Sequence, residues 1–371
     1  MALITFDHLF EGIHMFSRHL RVKGKKFTRL GTDPQKISQT ILKKLYTGYF
    51  YQTSLGNYPH FYSRDFGMVV KSLLVLGKKK EVASTLEYAL TQYQEANQVK
   101  TFITVLGKPV DFPNVYSPDS LAYLLYALRL CDDKTLIQNF SSFLQQEINR
   151  FYDVVVDKET GLPKRKIHFG GMRDYSKRDA SCYDAVMCAV VKREADLLGL
   201  RNPLSDYDYK KIIKKYYWTG SFFKDDLSNG TLTADANIYP FWLEIFDDKK
   251  MLQQTVKSMQ EAGLDKPFPI KYVAKNTQKG RTIRTEFLVN NWESTAIWPM
   301  SGLPFIDIVS QINKKNANAY LDQYSDLIKK FGTFLEVYDG KGKPYSSLFY
   351  SCDEGMIWCA HYLYLDALLR K

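Results

Sequence analysis

The chain has 371 residues, 45% hydrophobic and 25% charged, which is typical of a globular protein with a large core and excludes a disordered or fibrous chain. The net charge of +11 comes largely from lysine, and the basic residues are scattered along polar helix faces rather than gathered in one patch. We therefore predict no nucleic-acid partner. No apolar run approaches the length that spans a membrane, so we predict no membrane partner either.

The cysteines and histidines give no sign of a metal site. The five cysteines are an odd number without metal-site spacing, and the six histidines are spread singly along the chain. We therefore expect neither a metal nor another cofactor. The N-terminus lacks the basic and apolar segments of a signal peptide. Together these patterns predict a reduced, cytoplasmic protein, and they make no prediction of its oligomeric state.

Residues 1–33 have no strong period and are predicted to form a short irregular N-terminal arm, although residues 4–20 could form an amphipathic segment and residues 26–30 a short strand. Residues 34–371 are predicted to form the main domain. It begins with Asp33 and Pro34, an N-cap followed by proline. Its 3.6-residue periodicity predicts about twelve helices, at 34–45, 65–76, 80–96, 118–130, 133–149, 180–198, 206–217, 235–246, 248–262, 293–312, 315–331 and 353–369.

The predicted helices alternate in character. Every second helix is apolar nearly all round, as in residues 120–128 and 183–191, which indicates burial, whereas the others keep a polar face. Links that enter the apolar helices are long and links that leave them are short, so consecutive helices run antiparallel. This pattern predicts an all-α fold, an (α/α)6 toroid with six long loops at one end. A generic helical solenoid, the alternative, would not concentrate polar and aromatic residues in one class of loop.

The long loops carry the candidate binding residues. In the first loop, Asp65 held by Arg64 can bind two vicinal hydroxyl groups. The helix N-termini behind these loops favour anions and hydroxyls. In the fifth loop, two tryptophans and two nearby prolines are unusual for a plain core helix. The candidate binding residues are Tyr62, Arg64, Asp65, Asn114, Arg173, Arg178, Asn291, Trp292, Glu293 and Tyr338.

Two carboxylates on different loops are the candidate catalytic pair. Asp174 lies in the third loop between Arg173 and Arg178, and Glu336 in the sixth loop follows two apolar residues that could partly desolvate it. Such a pair suits glycoside cleavage, in which one carboxyl protonates the leaving oxygen and the other activates water or attacks directly. A general acid must keep its proton near neutral pH, and adjacent arginines oppose this. We therefore expect the two arginines to face the substrate.

The segment 174–178, Asp-Tyr-Ser-Lys-Arg, resembles the Trp-Asp-Phe/Asp-Ser-x-Arg segment of trehalases, processing α-glucosidases and mannosylglycerate hydrolases. Residues 291–299 resemble the trehalase signature Gln-Trp-Asp-x-Pro-x-Gly-Trp-x-Pro, residues 336–339 resemble Glu-Lys-Tyr-Asp, and residues 63–65 are similar to part of Tyr-x-Trp-Asp. The order of all four matches the family, over about residues 58–365. The resemblance implies the toroid of six-hairpin glycosidases, which glycogen-debranching glucosidase domains share more distantly. It also implies that Asp174 is the general acid, Glu336 the general base and Arg178 a substrate ligand.

The chain departs from that family on the leaving-group side. Arg173 stands where the family has tryptophan, and Asn291 and Glu293 replace glutamine and aspartate. We therefore predict an inverting α-glycosidase, α-glucosidase-like or trehalase-like, that acts on a short oligosaccharide or glycoside, with Arg173 selecting an anionic or heavily hydroxylated leaving group. A sugar epimerase or uronyl-processing enzyme, with His168 and His361 paired, is one alternative. A non-catalytic carbohydrate-binding protein is the other.

Overall fold

The computed structural model describes residues 6–23, 27–112, 115–275, 282 and 289–370, with side chains from residue 12 onward. Its helices are α1 (Phe6–Lys23), α2 (Pro34–Leu45), α3 (Ser63–Val75), α4 (Lys79–Glu95), α5 (Pro118–Cys131), α6 (Lys134–Asn139), α7 (Ser141–Val155), α8 (Cys182–Leu197), α9 (Tyr209–Tyr217), α10 (Ala234–Trp242), α11 (Lys249–Glu261), α12 (Pro299–Ser310), α13 (Lys314–Phe331) and α14 (Cys359–Leu369). Its short strands are β1 (Phe61–Tyr62), β2 (Phe102–Ile103), β3 (Pro109–Val110), β4 (Lys224–Asp226) and β5 (Asn229–Leu232).

Local sequence chemistry sets where the helices begin. The side chain of Asp33 accepts the N–H of Lys36 at the start of α2, where Pro34 has no N–H to leave unpaired. Ser181 caps α8 and Asp208 caps α9 in the same way. These caps satisfy backbone N–H groups that have no partner inside the helix.

Six helices form a closed inner ring. Helices α3, α5, α8, α10, α12 and α14 each pack against the next, and α14 packs against α3 to close the ring. Helices α2, α4, α7, α9, α11 and α13 lie outside and pack against them. The inner helices are buried nearly all round, as in residues 118–128 of α5. The predicted (α/α)6 arrangement of alternating buried and covering helices is confirmed.

Six long links lead from an outer helix to the next inner helix. They span 46–62, 96–117, 156–181, 218–233, 262–298 and 332–358. Since each precedes an inner helix, the N-termini of the inner helices and these six loops lie at the same end of the toroid. We call this end the mouth. The carboxylates predicted from sequence therefore belong to one end of one domain.

The N-terminal arm is not irregular as predicted, because residues 6–23 form an 18-residue helix, α1. Its Arg18 and His19 are buried against the mouth, whereas its apolar residues Ile13, Phe16 and Leu20 are 57%, 42% and 59% exposed. Among the described side chains of α1, some polar groups are therefore buried while several apolar ones are exposed. The predicted domain boundary near residue 33 stays a prediction.

Three other predicted helices differ most in their bounds. The predicted helix 133–149 is divided at Phe140 into α6 and α7. The predicted helices 293–312 and 353–369 begin only at Pro299 and Cys359. In the predicted helix 293–312, backbone hydrogen bonds join Ile297 to Tyr338 of the sixth loop. Ile297 therefore pairs with another loop and lies outside the helix.

Gly67 lies inside α3 where that helix packs against α5. A Cβ atom at residue 67 would lie 2.5 Å from the Cβ of Tyr123 and 2.8 Å from its carbonyl oxygen. Since the two helices would have to move apart, we expect Gly67→Ala to lower the free energy of unfolding by about 1–3 kcal/mol, measured by urea denaturation. Gly12→Ala is the control, because residue 12 is exposed in α1 with no atom within 4 Å of a new Cβ. Equal losses in both variants would contradict the close packing.

Candidate active site

Four inner helices carry an aspartate in their first turn at the mouth. These are Asp65 in α3, Asp119 in α5, Asp184 in α8 and Asp235 in α10, and all four are buried. Negative charge is favourable at a helix N-terminus, which partly offsets the burial of these carboxylates. Of the four, the sequence prediction named only Asp65. The signal for the others was the repeated aspartate at the second or third position of each buried helix.

Arg64 and Asp65 lie together at the mouth, and their predicted binding role stays a prediction. Arg64 Nη1 lies 3.5 Å from Asp119 Oδ2, and Arg64 Nε lies 3.7 Å from Asp65 Oδ2. Arg64 also donates a hydrogen bond to the carbonyl oxygen of Gly171. Trp358 Nε1 donates to Asp65 Oδ1 at 2.9 Å. These contacts join the start of α3 to the loop that carries Asp174.

Asp174 is held by its own loop and is only partly exposed. Its Oδ1 accepts the N–H of Gly171 at 2.9 Å. A Cβ at Gly170 would lie 2.8 Å from Ser117 Oγ and 3.1 Å from Asp174 Oδ1, so glycine permits the loop to fold this closely. Burial raises the pKa of Asp174, while the Arg64 guanidinium opposes the rise. A carboxyl group with a raised pKa is suited to donate a proton near neutral pH.

Glu293 holds the Asp174 loop from the other side. It accepts hydrogen bonds from the N–H of Tyr175 at 2.8 Å and from Ser176 Oγ at 3.0 Å. Burial, and then the charge of Asp174, raise the pKa of Glu293 to about 8. The sequence prediction assigned Glu293 to sugar binding. Its observed contacts join the fifth loop to the third beside Asp174, and its binding role stays a prediction.

Glu336 is almost completely buried, at 2% exposure. Its Oε2 accepts hydrogen bonds from Tyr350 Oη at 2.6 Å and from the N–H of Asp353 at 2.8 Å. Burial, and then the charge of Asp353, raise the pKa of Glu336 to about 8. The hydrogen-bonded tyrosine and the buried site hold this carboxyl in one orientation.

A chain of side-chain contacts connects the two candidate catalytic residues. The ring of Tyr350, which binds Glu336, packs edge-on against the ring of Trp292 with centroids 4.9 Å apart. Trp292 directly precedes Glu293, whose carboxyl group binds the residues that follow Asp174. The third, fifth and sixth loops therefore form one connected wall of the mouth.

Arg173 and Tyr338 are not placed as predicted. The Arg173 guanidinium is fully buried between Asp225 and Asp235, with its Nε 3.4 Å from Asp235 Oδ2. It pairs with these carboxylates instead of facing a leaving group, since a buried arginine requires such partners. Tyr338 is 2% exposed and packs against Phe268 with ring centroids 5.0 Å apart, within the core.

The remaining predicted residues lie in different surroundings. Arg178 Nη1 lies 2.8 Å from Asp235 Oδ2 and is buried with it. Tyr62 stacks on Phe102 with ring centroids 4.9 Å apart. Asn291 adopts a left-handed backbone conformation, φ 64°, at the start of the Trp292 turn. Asn114 lies outside the described residues.

Replacing Arg173 should destabilise the fold. In Arg173→Met, Asp225 loses its arginine and Asp235 keeps only Arg178, and breaking a buried ion pair costs about 3–5 kcal/mol. We expect a loss of that size in urea denaturation. Arg165→Met is the control in the same loop, because the Arg165 side chain is 58% exposed where it pairs with Asp179. We expect that control to lose less than about 1 kcal/mol. Equal stability of the two variants would contradict the structural role of Arg173.

Other features of the described residues lie away from this wall. A groove of about 610 Å³ lies at the opposite end of the toroid, beside the C-terminus of α8, with Lys192, Asp196, Tyr209 and Glu244 among its lining residues. Within the described part of the chain, no three His, Cys, Asp or Glu side chains are grouped to bind a metal ion. In the same part of the chain, no helix combines the length and apolarity needed to cross a membrane.

No protein-family model and no curated protein matches the sequence. Solved structures do match its fold. The rhamnosidase from Klebsiella oxytoca with rhamnose bound is 11% identical, with a TM-score of 0.65 over 92% of this chain and 65% of that one. The GH63 mannosylglycerate hydrolase from Thermus thermophilus in complex with glucose is 12% identical, with a TM-score of 0.59 over 90% of this chain and 99% of that one. A wild-type glycosidase is 10% identical, with a TM-score of 0.66 over 99% of both chains.

At such low identities this likeness concerns the fold. The present chain spans 65% of the rhamnosidase and 99% of the mannosylglycerate hydrolase, so the shared part is the toroid itself. The predicted resemblance to the six-hairpin glycosidases is confirmed at that level. The chain has their (α/α)6 toroid.

Proposed function

We propose that this protein is a glycoside hydrolase in which Asp174 is the general acid and Glu336 the general base. The observation that carries the proposal is the connected wall of the mouth, which holds two carboxyl groups with raised pKa values on separate loops. The structures of the same fold include a rhamnosidase with rhamnose bound, a mannosylglycerate hydrolase in complex with glucose, and a glycosidase. A pair of carboxyl groups is the catalytic equipment that most glycosidases use.

In the proposed reaction, Asp174 protonates the glycosidic oxygen as the bond to the leaving group breaks. Glu336 accepts a proton from the water that attacks the anomeric carbon from the opposite face, so the product has the inverted configuration. Asp65 and Arg64 bind hydroxyl groups of the sugar at the N-terminus of α3. Glu293 keeps Asp174 in place. We propose an α-glycoside of short length as the substrate, because the resemblance to α-glycosidases extends through the four ordered segments.

The histidine pair that an epimerase would need is not assembled. His168 Nε2 lies 2.9 Å from the carbonyl oxygen of Asp174, at the mouth. His361 instead lies 3.5 Å from Asp307 and packs against the ring of Trp242. Both histidines therefore have other partners, and their contacts with the described residues do not favour the epimerase alternative. We further propose a reducing compartment such as the cytoplasm, since all five cysteines are free and buried.

A panel of glycosides tests the proposed activity. It contains alkyl and aryl α-glucosides, α-mannosides and α-rhamnosides, including an α-mannoside with a glycerate leaving group. We expect hydrolysis of at least one member, and NMR of the first-formed sugar should show the β-anomer. Sugar binding by calorimetry without turnover of any member would overturn the hydrolase in favour of a carbohydrate-binding protein. An α-anomeric first product would overturn inversion.

The pH profile is expected to have an alkaline limb near pH 8. The active form has a proton on Asp174 and none on Glu336, whose pKa is raised to about 8. The proposal takes the pKa of Asp174 to lie below that of Glu336, so this form is a constant minor fraction between the two pKa values and declines above the higher one. We therefore expect kcat/KM, which reports the free enzyme, to fall above about pH 8. Glu293→Gln is the control, since it removes the other glutamate with a pKa near 8. Disappearance of the alkaline limb in that variant would contradict the assignment to Glu336.

A further inference from the structure

Helix α1 places a buried arginine beside the loop that holds Glu336. Arg18 is only 5% exposed. Its Nη2 lies 3.3 Å from Asp353 Oδ1 and 3.3 Å from Glu354 Oε1. Its Nη1 donates to the carbonyl oxygen of Cys352 at 3.3 Å and to Asn57 Oδ1 at 3.4 Å. Arg18 therefore binds both the first and the sixth mouth loops.

Asp353 connects Arg18 to Glu336. The N–H of Asp353 donates to Glu336 Oε2 at 2.8 Å, and its carbonyl oxygen accepts the N–H of Glu336 at 3.0 Å. Its carboxylate accepts the N–H of Asn57 at 2.7 Å and pairs with Arg18. The position of Asp353 thus determines both the orientation and the electrostatic surroundings of Glu336.

Other residues of the N-terminal segment bind the same two loops. His19 Nδ1 lies 3.0 Å from Ser351 Oγ, and His14 Nε2 lies 3.2 Å from the carbonyl oxygen of Gly56. The N–H of Thr28 donates to Glu354 Oε2 at 2.8 Å. The contact of α1 with the mouth is therefore made by polar groups of several residues, and it does not depend on Arg18 alone.

Gly56 shows how closely these parts approach. A Cβ at residue 56 would lie 1.9 Å from Asp353 Oδ1 and 2.7 Å from Arg18 Nε. Any other residue at this position would therefore push the carboxylate or the guanidinium away. The contact between Arg18 and Asp353 therefore requires glycine at residue 56 as well as the positive charge of Arg18.

We propose that α1 belongs to the active site, with Arg18 as a positioning residue that holds Asp353 and, through it, the base Glu336. This inference rests on the proposed role of Glu336. The inference gives α1, which lies outside the twelve helices of the toroid, a function. A side chain of α1 would hold in place a base that lies more than 300 residues later in the sequence.

The inference has a definite electrostatic sign. The groups that face Glu336 are Asp353, which raises its pKa, the hydroxyl groups of Tyr350 and Tyr58, the Cys352 thiol, and Arg18, which lowers its pKa. Removing the positive charge of Arg18 should therefore raise the pKa of Glu336. The rise should be smaller than that caused by removing a directly adjacent charge, because Asp353 lies between Arg18 and Glu336.

The test compares Arg18→Gln, Arg18→Lys and Gly56→Ala with Arg29→Gln as the control. Arg29 is exposed and binds the carbonyl oxygen of Lys330, so its loss weakens the same N-terminal segment without changing the charge near Glu336. The pKa of Glu336 is measured by NMR on protein labelled with ¹³C at the glutamate δ-carboxyl, and Glu336→Gln identifies the signal. The same proteins are assayed for kcat/KM against pH.

We expect Arg18→Gln to raise the pKa of Glu336, to move the alkaline limb to higher pH and to lower kcat/KM about tenfold or more. Arg18→Lys should restore the pKa but only part of the rate, because lysine cannot bind Asp353 and Cys352 together. Gly56→Ala should lower kcat/KM even though the positive charge of Arg18 is intact, because the new Cβ would displace Asp353 or Arg18. An unchanged pKa and rate in Arg18→Gln would overturn the inference.

The NMR titration needs no turnover, so the inference and the proposed function can fail separately. Full activity of Glu336→Gln would reject Glu336 as the base even if Arg18→Gln shifts its pKa. Conversely, Glu336→Gln could lose activity while Arg18→Gln changes neither the pKa of Glu336 nor kcat/KM. That result would support Glu336 as the base and reject the role of α1. An equal loss in Arg18→Gln and Arg29→Gln would show general destabilisation of the segment and would also reject it.

Discussion

In an Asp174→Asn variant, hydrolysis of an alkyl glycoside is expected to fall about a hundred- to ten-thousand-fold, the range that a positioned general acid contributes. An alkoxide is a poor leaving group and needs the proton that Asp174 would donate. A 2,4-dinitrophenolate leaves without protonation, so the same variant should cleave the dinitrophenyl glycoside at nearly the wild-type rate. The comparison of kcat/KM for the two leaving groups is the measurement.

The substitution itself should disturb the loop very little. The Oδ1 atom of asparagine can accept the N–H of Gly171 as Asp174 does, at the observed 2.9 Å. Asp179→Asn is the matched control in the same loop, since its carboxylate binds Arg165 near the surface, and it should leave both substrates unaffected. If Asp174→Asn slows both leaving groups equally, Asp174 acts in some way other than as the acid.

Much of the fold could be predicted because it depends on local rules. The cap at Asp33 and the alternation of long and short links depend on residues that are neighbours in the chain, and each is visible in the sequence. The alternation of apolar and amphipathic helices then has few solutions other than a closed ring. The position of Asp174 at the mouth followed from the same reasoning, since its loop precedes a buried helix.

The errors arose where partners are distant in sequence. Arg173 was assigned to the substrate because it pairs with Asp225 in the fourth loop and Asp235 in α10, both far along the chain. Residues 4–20 could be predicted as an amphipathic segment, but the contacts of α1 were missed because its buried Arg18 and His19 bind a loop more than 300 residues away. The sequence shows which charges are present, but the partner of a buried charge is seen only in the folded structure.

The same argument applies to the charges around Asp174. From sequence, Asp174 lay between Arg173 and Arg178, which would lower its pKa. In the structure both arginines bind Asp235, and the guanidinium that most opposes the raised pKa of Asp174 is that of Arg64, from another loop. The charges that affect the pKa of Asp174 are therefore set by contacts in the folded protein, not by its neighbours in the sequence.

Glu336→Gln should lose hydrolysis of both alkyl and dinitrophenyl glycosides. A good leaving group still requires a base to activate water, so this variant should be about a hundred- to ten-thousand-fold slower on each substrate. That response differs from the one expected for Asp174→Asn, and the pair of variants assigns the two roles. Retained activity on the dinitrophenyl glycoside alone would exchange the roles and make Glu336 the acid.

Stability against pH gives an independent check on the same variant. The pKa of Glu336 is raised from 4.5 to about 8 in the folded protein, so the protonated group favours folding below pH 4.5 and this contribution is lost as the pH rises through about 8. Glutamine does not ionise and keeps an acceptor for Tyr350 and Asp353. The Tm of Glu336→Gln relative to wild type should therefore rise between about pH 4.5 and 8. A constant difference across that range would mean that Glu336 is ionised at neutral pH, and the alkaline limb would then belong to another group.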